Sequence, residues 1–365
     1  MASHIPDFPT DLASILERID RIDPIQYGKT RNRLDGAVTY LSPYISRGVI
    51  STRQVLDAIL AKGYDVRDIE SFVKELCWRD YFQRVGQEKE LNRDIRQPQH
   101  PVAHRELPVA ALNAETGIHA IDEGIRQLYE TGYMHNHVRM YTAMLLCNIG
   151  QAHWREPARW LYYHLLDGDW ASNACSWQWV AGANSSKKYI ANQENINRFT
   201  GSSQSRTYLD TSYEALESIH IPDELRATQS FLPETRLPTA SALIVDPAKP
   251  TFLYNYYNLD PDWHSDVDAN RILLLEPDFF AQYPISDACV HFMLDLSKNI
   301  AGLQVFVGSF QDLTSDYGLD DIRYKEHPFN VGFTGIEEPR DWISDDVDGY
   351  YPSFFAYWKQ VSKRF

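Results

Sequence analysis

Two short clusters of chemically distinctive residues, each flanked by helix-period stretches, constrain this chain more than any other feature. The first is Tyr-Met-His-Asn-His-Val-Arg-Met, Tyr133 to Met140. The second is Leu-Asp-Gly-Asp-Trp-Ala-Ser-Asn, Leu166 to Asn173, followed by Trp177-Gln178-Trp179. Ile118, Ile121, Ile125 and Leu128 recur at helical spacing before the first cluster, and Val138, Tyr141, Thr142, Leu145, Leu146 and Ile149 do so after it. The clusters therefore sit at helix ends. Asn136, Arg139 and Met140 then share one helix face, bringing an amide, a cation and a thioether together. On spacing alone the commoner reading of that face is a solvated polar surface beside an apolar core. Asp167-Gly168-Asp169 reads as N-capping chemistry, with Gly168 allowing a left-handed turn.

With 365 residues, the chain is long enough for about two domains. Its 44% hydrophobic and 13% aromatic content belongs to a globular protein and excludes a disordered one. Such an aromatic load suits a core that holds a large planar ligand. No apolar run reaches the length of a membrane span, and the N-terminus lacks a basic region followed by an apolar one, so the expected location is the cytoplasm. Cys77, Cys147, Cys175 and Cys289 are widely spaced; buried thiols are expected, with no zinc site, no other metal and no disulfide framework.

The net charge of −15 argues against nucleic-acid binding by general electrostatics. Its distribution is uneven. Residues 1 to 236 hold 26 Lys and Arg against 30 Asp and Glu, net −4, and residues 237 to 365 hold 9 against 20, net −11, which together give −15. A local basic patch on the first part is compatible with these counts.

After Pro6 and Pro9, Leu12, Ile15, Leu16 and Ile19 predict a short helix ending at Pro24. A turn-rich stretch, Tyr27 to Ser46, leads to a helix with Val55, Leu56, Ile59 and Leu60. Residues 70 to 85 form a helix on which Phe72, Glu75, Trp78, Arg79 and Phe82 share a face. Residues 88 to 116 read as a proline-containing loop, and Glu214 to Thr239 as a linker. Beyond it, Leu243-Ile244-Val245, Ile272 to Leu275 and Val305-Phe306-Val307 are apolar runs of the kind that form buried parallel strands. A helix from about Ser286, with Cys289, Phe292, Met293, Leu296 and Ile300, makes the last two runs a βαβ unit. No Gly-x-Gly-x-x-Gly follows a strand, and His327 and Asp341-Trp342 receive no role.

Thr131-Gly132-Tyr133-Met134-His135-Asn136, Leu166-Asp167-Gly168-Asp169 and Trp177-Gln178-Trp179 together resemble, in order and spacing, the flavin-binding core of the photolyase and cryptochrome family. The resemblance extends over roughly residues 27 to 200. It implies an α-helical FAD-binding domain followed by a small acidic α/β domain with a parallel sheet. Expected boundaries are 1–215 for the first, 216–240 for the linker and 241–365 for the second, as in short photolyase-like proteins without the N-terminal antenna domain.

By the same resemblance, Val38-Thr39-Tyr40-Leu41-Ser42-Pro43-Tyr44 is similar to the family's diphosphate loop, with Thr39, Leu41 and Ser42 in place and Tyr27 upstream. Val38 and Tyr40 depart from the usual Thr and Arg. Glu75, Trp78 and Arg79 match a motif in which a carboxyl hydrogen-bonds the damaged base, an aromatic packs on it and a guanidinium meets the flavin; Glu75 and Asn136 are also expected among the residues that bind FAD. Asn173 would sit by the flavin N5, Asp167 and Asp169 by the ribityl chain and ring edge, and Arg139 would offset negative charge on the reduced ring. Asn136 and Met140 resemble the set that repairs cyclobutane dimers, where enzymes for 6-4 photoproducts use histidines. Trp179, with Trp78, would hold substrate bases. Trp177 and then Trp154 would relay electrons, with Trp160, Tyr162 or Tyr163 in place of the missing outer tryptophan.

The implied activity is light-dependent repair of pyrimidine dimers in nucleic acid, single-stranded more than duplex, by electron transfer from reduced FAD. Neither an antenna chromophore nor an iron–sulfur cluster is expected. The alternative is a cryptochrome-like blue-light receptor without repair activity, whose acidic C-terminal domain binds a protein partner. A structural protein that has lost FAD is a third.

Overall fold

A serine or aspartate opens many of the helices, and the structure shows why the chain starts them where it does. In this computed structural model residues 7–239 and 241–365 are described; Pro6, and Ala240 at the end of the expected linker, lie outside them. The helices are α1 (Leu12–Asp20), α2 (Pro24–Thr30), α3 (Ser42–Ser46), α4 (Thr52–Ala61), α5 (Glu70–Glu88), α6 (Val109–Asn113), α7 (His119–Thr131), α8 (Asn136–Met144), α9 (Arg155–His164), α10 (Trp170–Ala181), α11 (Gln193–Thr200), α12 (Tyr213–Glu217), α13 (Pro277–Gln282), α14 (Asp287–Ser297), α15 (Phe310–Tyr317) and α16 (Phe354–Val361). The strands are β1 (Leu107–Pro108), β2 (Thr228–Gln229), β3 (Thr251–Tyr254), β4 (Asn270–Leu275), β5 (Leu303–Val307), β6 (Ile322–Lys325) and β7 (Ile336–Glu338). Side chains of Asp11, Ser51, Asp169, Asn192, Ser286 and Ser353 each accept from a first-turn backbone N–H, supplying a partner that the helix itself cannot.

Two compact units emerge, and they do not follow chain order. The first comprises residues 1–7, 23–38 and 88–232, and the second residues 8–22, 39–87 and 233–365. Segments 8–22 and 39–87, expected with the helical domain, thus pack with the C-terminal sheet. The first unit is helical. Ile121, Ile125 and Leu128 of α7 and Val138 and Tyr141 of α8 are buried, as their period required. A Cβ at Gly124 would lie 2.6 Å from Val138 Cγ1, so glycine there permits the close crossing of α7 and α8. A π-helical turn, Leu145–Ile149, continues α8.

The second unit contains a five-stranded parallel sheet in the order β5-β4-β3-β6-β7. It is doubly wound: the chain runs outward from β3 through β4 to β5, then returns to the other side of β3 for β6 and β7. Helix α14 begins at Asp287 behind its Ser286 cap, as the βαβ reading required. One expectation fails. Leu243-Ile244-Val245 is not a strand; Ile244 is 86% exposed, and its backbone N–H and C=O bond the Gln304 side chain. The first strand is Thr251–Tyr254, because an apolar tripeptide flanked by a proline-containing segment has the composition of a strand without a neighbour to pair with. Leu243 still contributes to the core with Leu253, Ile272, Leu274, Phe310, Leu313 and Ile322.

The carboxyl ends of a doubly wound sheet commonly present a crevice at the switch point. Here the chain's own side chains occupy the region beyond β3. The fully buried Arg47 guanidinium lies 3.4 Å from the Tyr256 ring centroid, and Tyr257 stacks on His327 at 4.5 Å.

Helix α5 is held within the second unit by the C-terminal segment. Asp80, almost wholly buried, accepts from Thr52 Oγ1 and from the Ile343 N–H, each at 2.8 Å. Burial outweighs these bonds and pushes its carboxyl above the ordinary aspartate value. A raised folded value means that this group favours folding most at low pH, and that the benefit is lost as pH rises through the folded value. Asp80→Asn keeps both bonds if the Thr52 hydroxyl turns to accept, so it is expected to raise neutral-pH stability and to flatten that dependence. Asp80→Ala leaves two buried donors unpaired and is expected to cost about 3 kcal/mol. Urea titrations of the two variants across pH check both; equal stabilities would remove the argument.

Candidate functional site

The expected residues lie in both units. In the first unit, α8 starts at Asn136, with His135 as its N-cap accepting from the His137 N–H. Asn136 is exposed, and His137, Arg139 and Met140 are half-buried, while Val138, Tyr141 and Thr142 face inward. The polar face read from spacing is therefore real. Arg139 does not extend into solvent. Its Nε donates to the Met134 carbonyl at 2.7 Å and its Nη2 to Asp167 Oδ2 at 2.9 Å, which joins the two sequence clusters directly.

Asp169 caps α10 by accepting from the Ser172 N–H at 2.7 Å. Gly168 does not adopt the expected left-handed conformation. A Cβ there would meet the Leu165 carbonyl oxygen at 2.9 Å and the Tyr162 carbonyl oxygen at 3.0 Å, so space, not φ, requires the glycine. Asn173 donates its amide to the Ala158 carbonyl at 2.8 Å. Beside it on α10, the Ser172 hydroxyl is buried without a hydrogen-bond partner. A buried orphan hydroxyl beside the Asn173 amide on α10, in the turn that Asp169 caps, together with the Arg139–Asp167 pair gives both donors and acceptors of the kind that suit the polar edge of a flavin. Tyr27 lies on α2, with Arg31 6.0 Å from its ring.

Trp177 is buried, whereas Trp179 is 45% exposed and stacks on Tyr189 at 5.9 Å. Trp154 is fully buried at the start of α9. The tryptophan ring against it is Trp170, at 6.4 Å, which the sequence reading passed over because it sits among capping residues. Trp160 donates to the Tyr129 hydroxyl at 3.0 Å, and Tyr129 is 41% exposed.

Three histidines in this unit are held neutral. Burial lowers His135, His137 and His164 from 6.5 to about 4, with the nearby His137 and Arg139 charges adding to the effect at His135.

In the second unit, Glu75, Trp78 and Arg79 are half-buried on α5 while Val73, Leu76 and Cys77 are buried, as their shared face implies. Arg79 Nη1 donates to Ser46 Oγ at 3.0 Å, which ties the motif to α3. Thr39 Oγ1 accepts from the Leu41 N–H at 3.4 Å, and Ser42 opens α3. Tyr40 has φ 53°, a left-handed conformation unusual for a bulky residue, at a position where the loop departs from the family pattern. Trp78 is itself covered on one face: Phe354 of α16 stacks on it at 3.8 Å, 9° from parallel. No sequence period links residues so far apart. A cavity of about 310 Å³ in this unit is lined by Arg84, Gln87, Glu326, Glu337, Glu338, Pro339 and Trp342, none of them an expected site residue.

Among the described residues no group of His, Cys, Asp and Glu could hold a metal ion, and no helix is long and apolar enough to cross a membrane.

Residues 72–210 match the FAD binding domain of DNA photolyase. This segment is similar to the FAD-binding domain of the photolyase/cryptochrome family. The deoxyribodipyrimidine photo-lyase of Alkalihalophilus pseudofirmus is 32% identical over 190 residues, covering 50% of this chain and 39% of that protein. That of Agrobacterium fabrum is 32% identical over 199 residues, covering 49% and 41%. A cryptochrome structure from Synechocystis superposes with a TM-score of 0.48 at 24% identity, over 55% of this chain and 45% of its own. The chain thus spans about two fifths of the length of these curated photolyase relatives. The photolyase-type helical domain and the five-stranded parallel sheet agree with the expected fold class. The matched segment contains every candidate residue from Glu75 to Trp179.

Proposed function

We propose that this chain binds FAD and repairs cyclobutane pyrimidine dimers in light, acting on single-stranded nucleic acid more readily than on duplex. The observation that carries the reading is the Glu75, Trp78, Arg79 set, half-buried together on α5 with Arg79 tied to α3. Reduced FAD, when bound, supplies the photoexcited electron that opens the dimer and takes it back afterwards. The residues of the chain bind and orient. Glu75 hydrogen-bonds the damaged base, Asn136 and Met140 serve recognition of the dimer, and the exposed Trp179 offers a ring for base stacking, worth roughly 1 to 3 kcal/mol per base. Tyr27, Thr39, Leu41 and Ser42 hold the diphosphate, while Asp167, Asp169 and Asn173 contact the ribityl chain and ring and Arg139 balances its charge. Trp177 and Trp154 serve reduction. A flipped dimer enters at lower cost from a strand that is not stacked in a duplex, and the net charge of −15 weakens duplex binding.

The test is dimer loss in a single-stranded oligonucleotide under blue light. The wild-type chain is expected to be yellow and active. Glu75→Ala is expected to stay yellow and lose about 10²-fold or more in repair rate, as for a hydrogen bond made to the reacting group. Equal affinity for single strand and duplex at moderate salt would remove the strand preference.

One observation favours a cryptochrome-like photoreceptor instead. Phe354 already covers a face of Trp78, and the segment that brings it there belongs to the acidic part of the chain, suited to a protein partner. Yellow protein that photoreduces yet leaves the dimer intact would decide for that reading.

A further inference from the structure

Trp154 is fully buried, yet its indole N–H is not idle: Nε1 donates to Asp94 Oδ1 at 2.6 Å. The arrangement around this bond is closed. Asp94 Oδ2 accepts from the Gln99 N–H at 2.9 Å, Gln99 Oε1 accepts from the Trp154 N–H at 2.8 Å, and Gln99 Nε2 donates to the Ala152 carbonyl at 2.8 Å. Gln99 therefore fixes the carboxylate and the indole in one frame. His153 Nε2 lies 3.4 Å from the same Asp94 oxygen, and His153 Nδ1 accepts from the Arg155 N–H, which places the imidazole proton on Nε2. Burial lowers the His153 value, with the Arg105 and Arg155 charges adding to it and Asp94 opposing. The Asp94 side chain is 20% exposed, so it connects a buried ring to water.

Indole is a very weak acid, but the radical cation left by loss of one electron is a far stronger one. An aligned carboxylate at 2.6 Å is the group placed to take its proton.

We propose that Asp94 is the proton acceptor of Trp154. One electron leaves Trp154 for a one-electron oxidant, the photoexcited oxidised flavin of the reading above. The Nε1–H bond breaks, its electron pair stays on nitrogen, and the proton forms an O–H bond on Asp94 Oδ1. A neutral tryptophanyl radical and a carboxylic acid result, and the proton then passes to water. Return of the electron now also requires return of the proton, so the separated charge persists. Trp154 ends the relay inside the protein, with no outer tryptophan needed. This inference rests on the proposed reading that Trp154 relays electrons to flavin.

The test is transient absorption of the flavin-loaded chain after a blue flash, comparing wild type, Asp94→Asn and Trp154→Phe in H2O and D2O. Asparagine keeps an acceptor oxygen toward the indole and is not basic, but it turns its NH2 toward the Gln99 N–H, so the Trp154 indole resonance below also checks that the frame holds. In wild type the neutral radical is expected to form promptly, and more slowly in D2O. In Asp94→Asn the radical cation should persist and lasting photoreduction should fall several-fold. A separate measurement uses the chain labelled with 15N-tryptophan and stripped of flavin: one indole proton, lost in Trp154→Phe, should resonate far downfield and move upfield in Asp94→Asn. Photoreduction unchanged in Trp154→Phe would overturn the relay itself. Loss in Trp154→Phe, with the neutral radical forming at the wild-type rate in Asp94→Asn, would overturn the role of Asp94 alone.

Discussion

Arg139→Ala is expected to destabilise the first unit by about 3 kcal/mol and to release bound flavin. The side chains of Arg139 and Asp167 are 19% and 6% exposed, so their ion pair is shielded from water and from salt. Removing one partner of such a pair costs about 3 to 5 kcal/mol, because the other is left as a charge in a poorly solvated place. Asp167 makes a further interaction, which sets the expected cost at the lower end. Arg139→Lys is expected to recover only part of the loss. The arginine reaches the Met134 carbonyl with Nε and Asp167 with Nη2, two directions that one ammonium cannot serve at the same geometry. Urea denaturation followed by tryptophan fluorescence measures both variants. A loss below about 1 kcal/mol, the range of exposed pairs, would mean that the bridge is solvated.

The second large effect is an acid transition of the first unit. His135, His137 and His164 have values near 4 in the folded chain against 6.5 unfolded, chiefly through burial. Lowered folded values contribute stability that is fully present above the unfolded value and lost as pH falls toward the folded one. The window is therefore pH 6.5 down to about 4, with protons taken up on unfolding by these three histidines and by His153, whose value burial also lowers. At about 1.4 kcal/mol per unit, the buried His135 and the largely enclosed His164 each account for about 3 kcal/mol at most. His137, more open to solvent, accounts for less. His164 lies among the rings of Tyr129, Trp160, Tyr163 and Phe231. His164→Phe should preserve those contacts while removing one proton from the transition. Chemical denaturation at stepped pH reads the slope directly, and a curve flat between pH 6.5 and 4 would sink the assignment.

The cover on Trp78 bears on the choice between repair and signalling. Phe354 is itself buried, and α16 adds the buried Tyr357, Trp358 and Val361, so the contact belongs to a packed core and not to a loose tail. On the proposed reading, a base stacking on Trp78 has only the face away from Phe354 or an edge.

Much of this protein was legible in its sequence. Periods of three and four residues marked α5, α7, α8 and α14 because burial of one face is a local rule that each helix obeys separately. The Asp169 cap and the start of α14 at Ser286 were readable for the same reason, and so was the Glu75, Trp78, Arg79 face. Tertiary structure alone decided the remainder. Leu243-Ile244-Val245 has the composition of a strand but no partner ladder, whereas Thr251–Tyr254 pairs on both sides. Asp94 meets Trp154 across 60 residues, and Phe354 meets Trp78 from the far end of the chain. Local propensity and periodicity fix which residues form an element and which face is apolar. Which two faces meet depends on how the whole chain closes, and that is where the carboxylate found its indole.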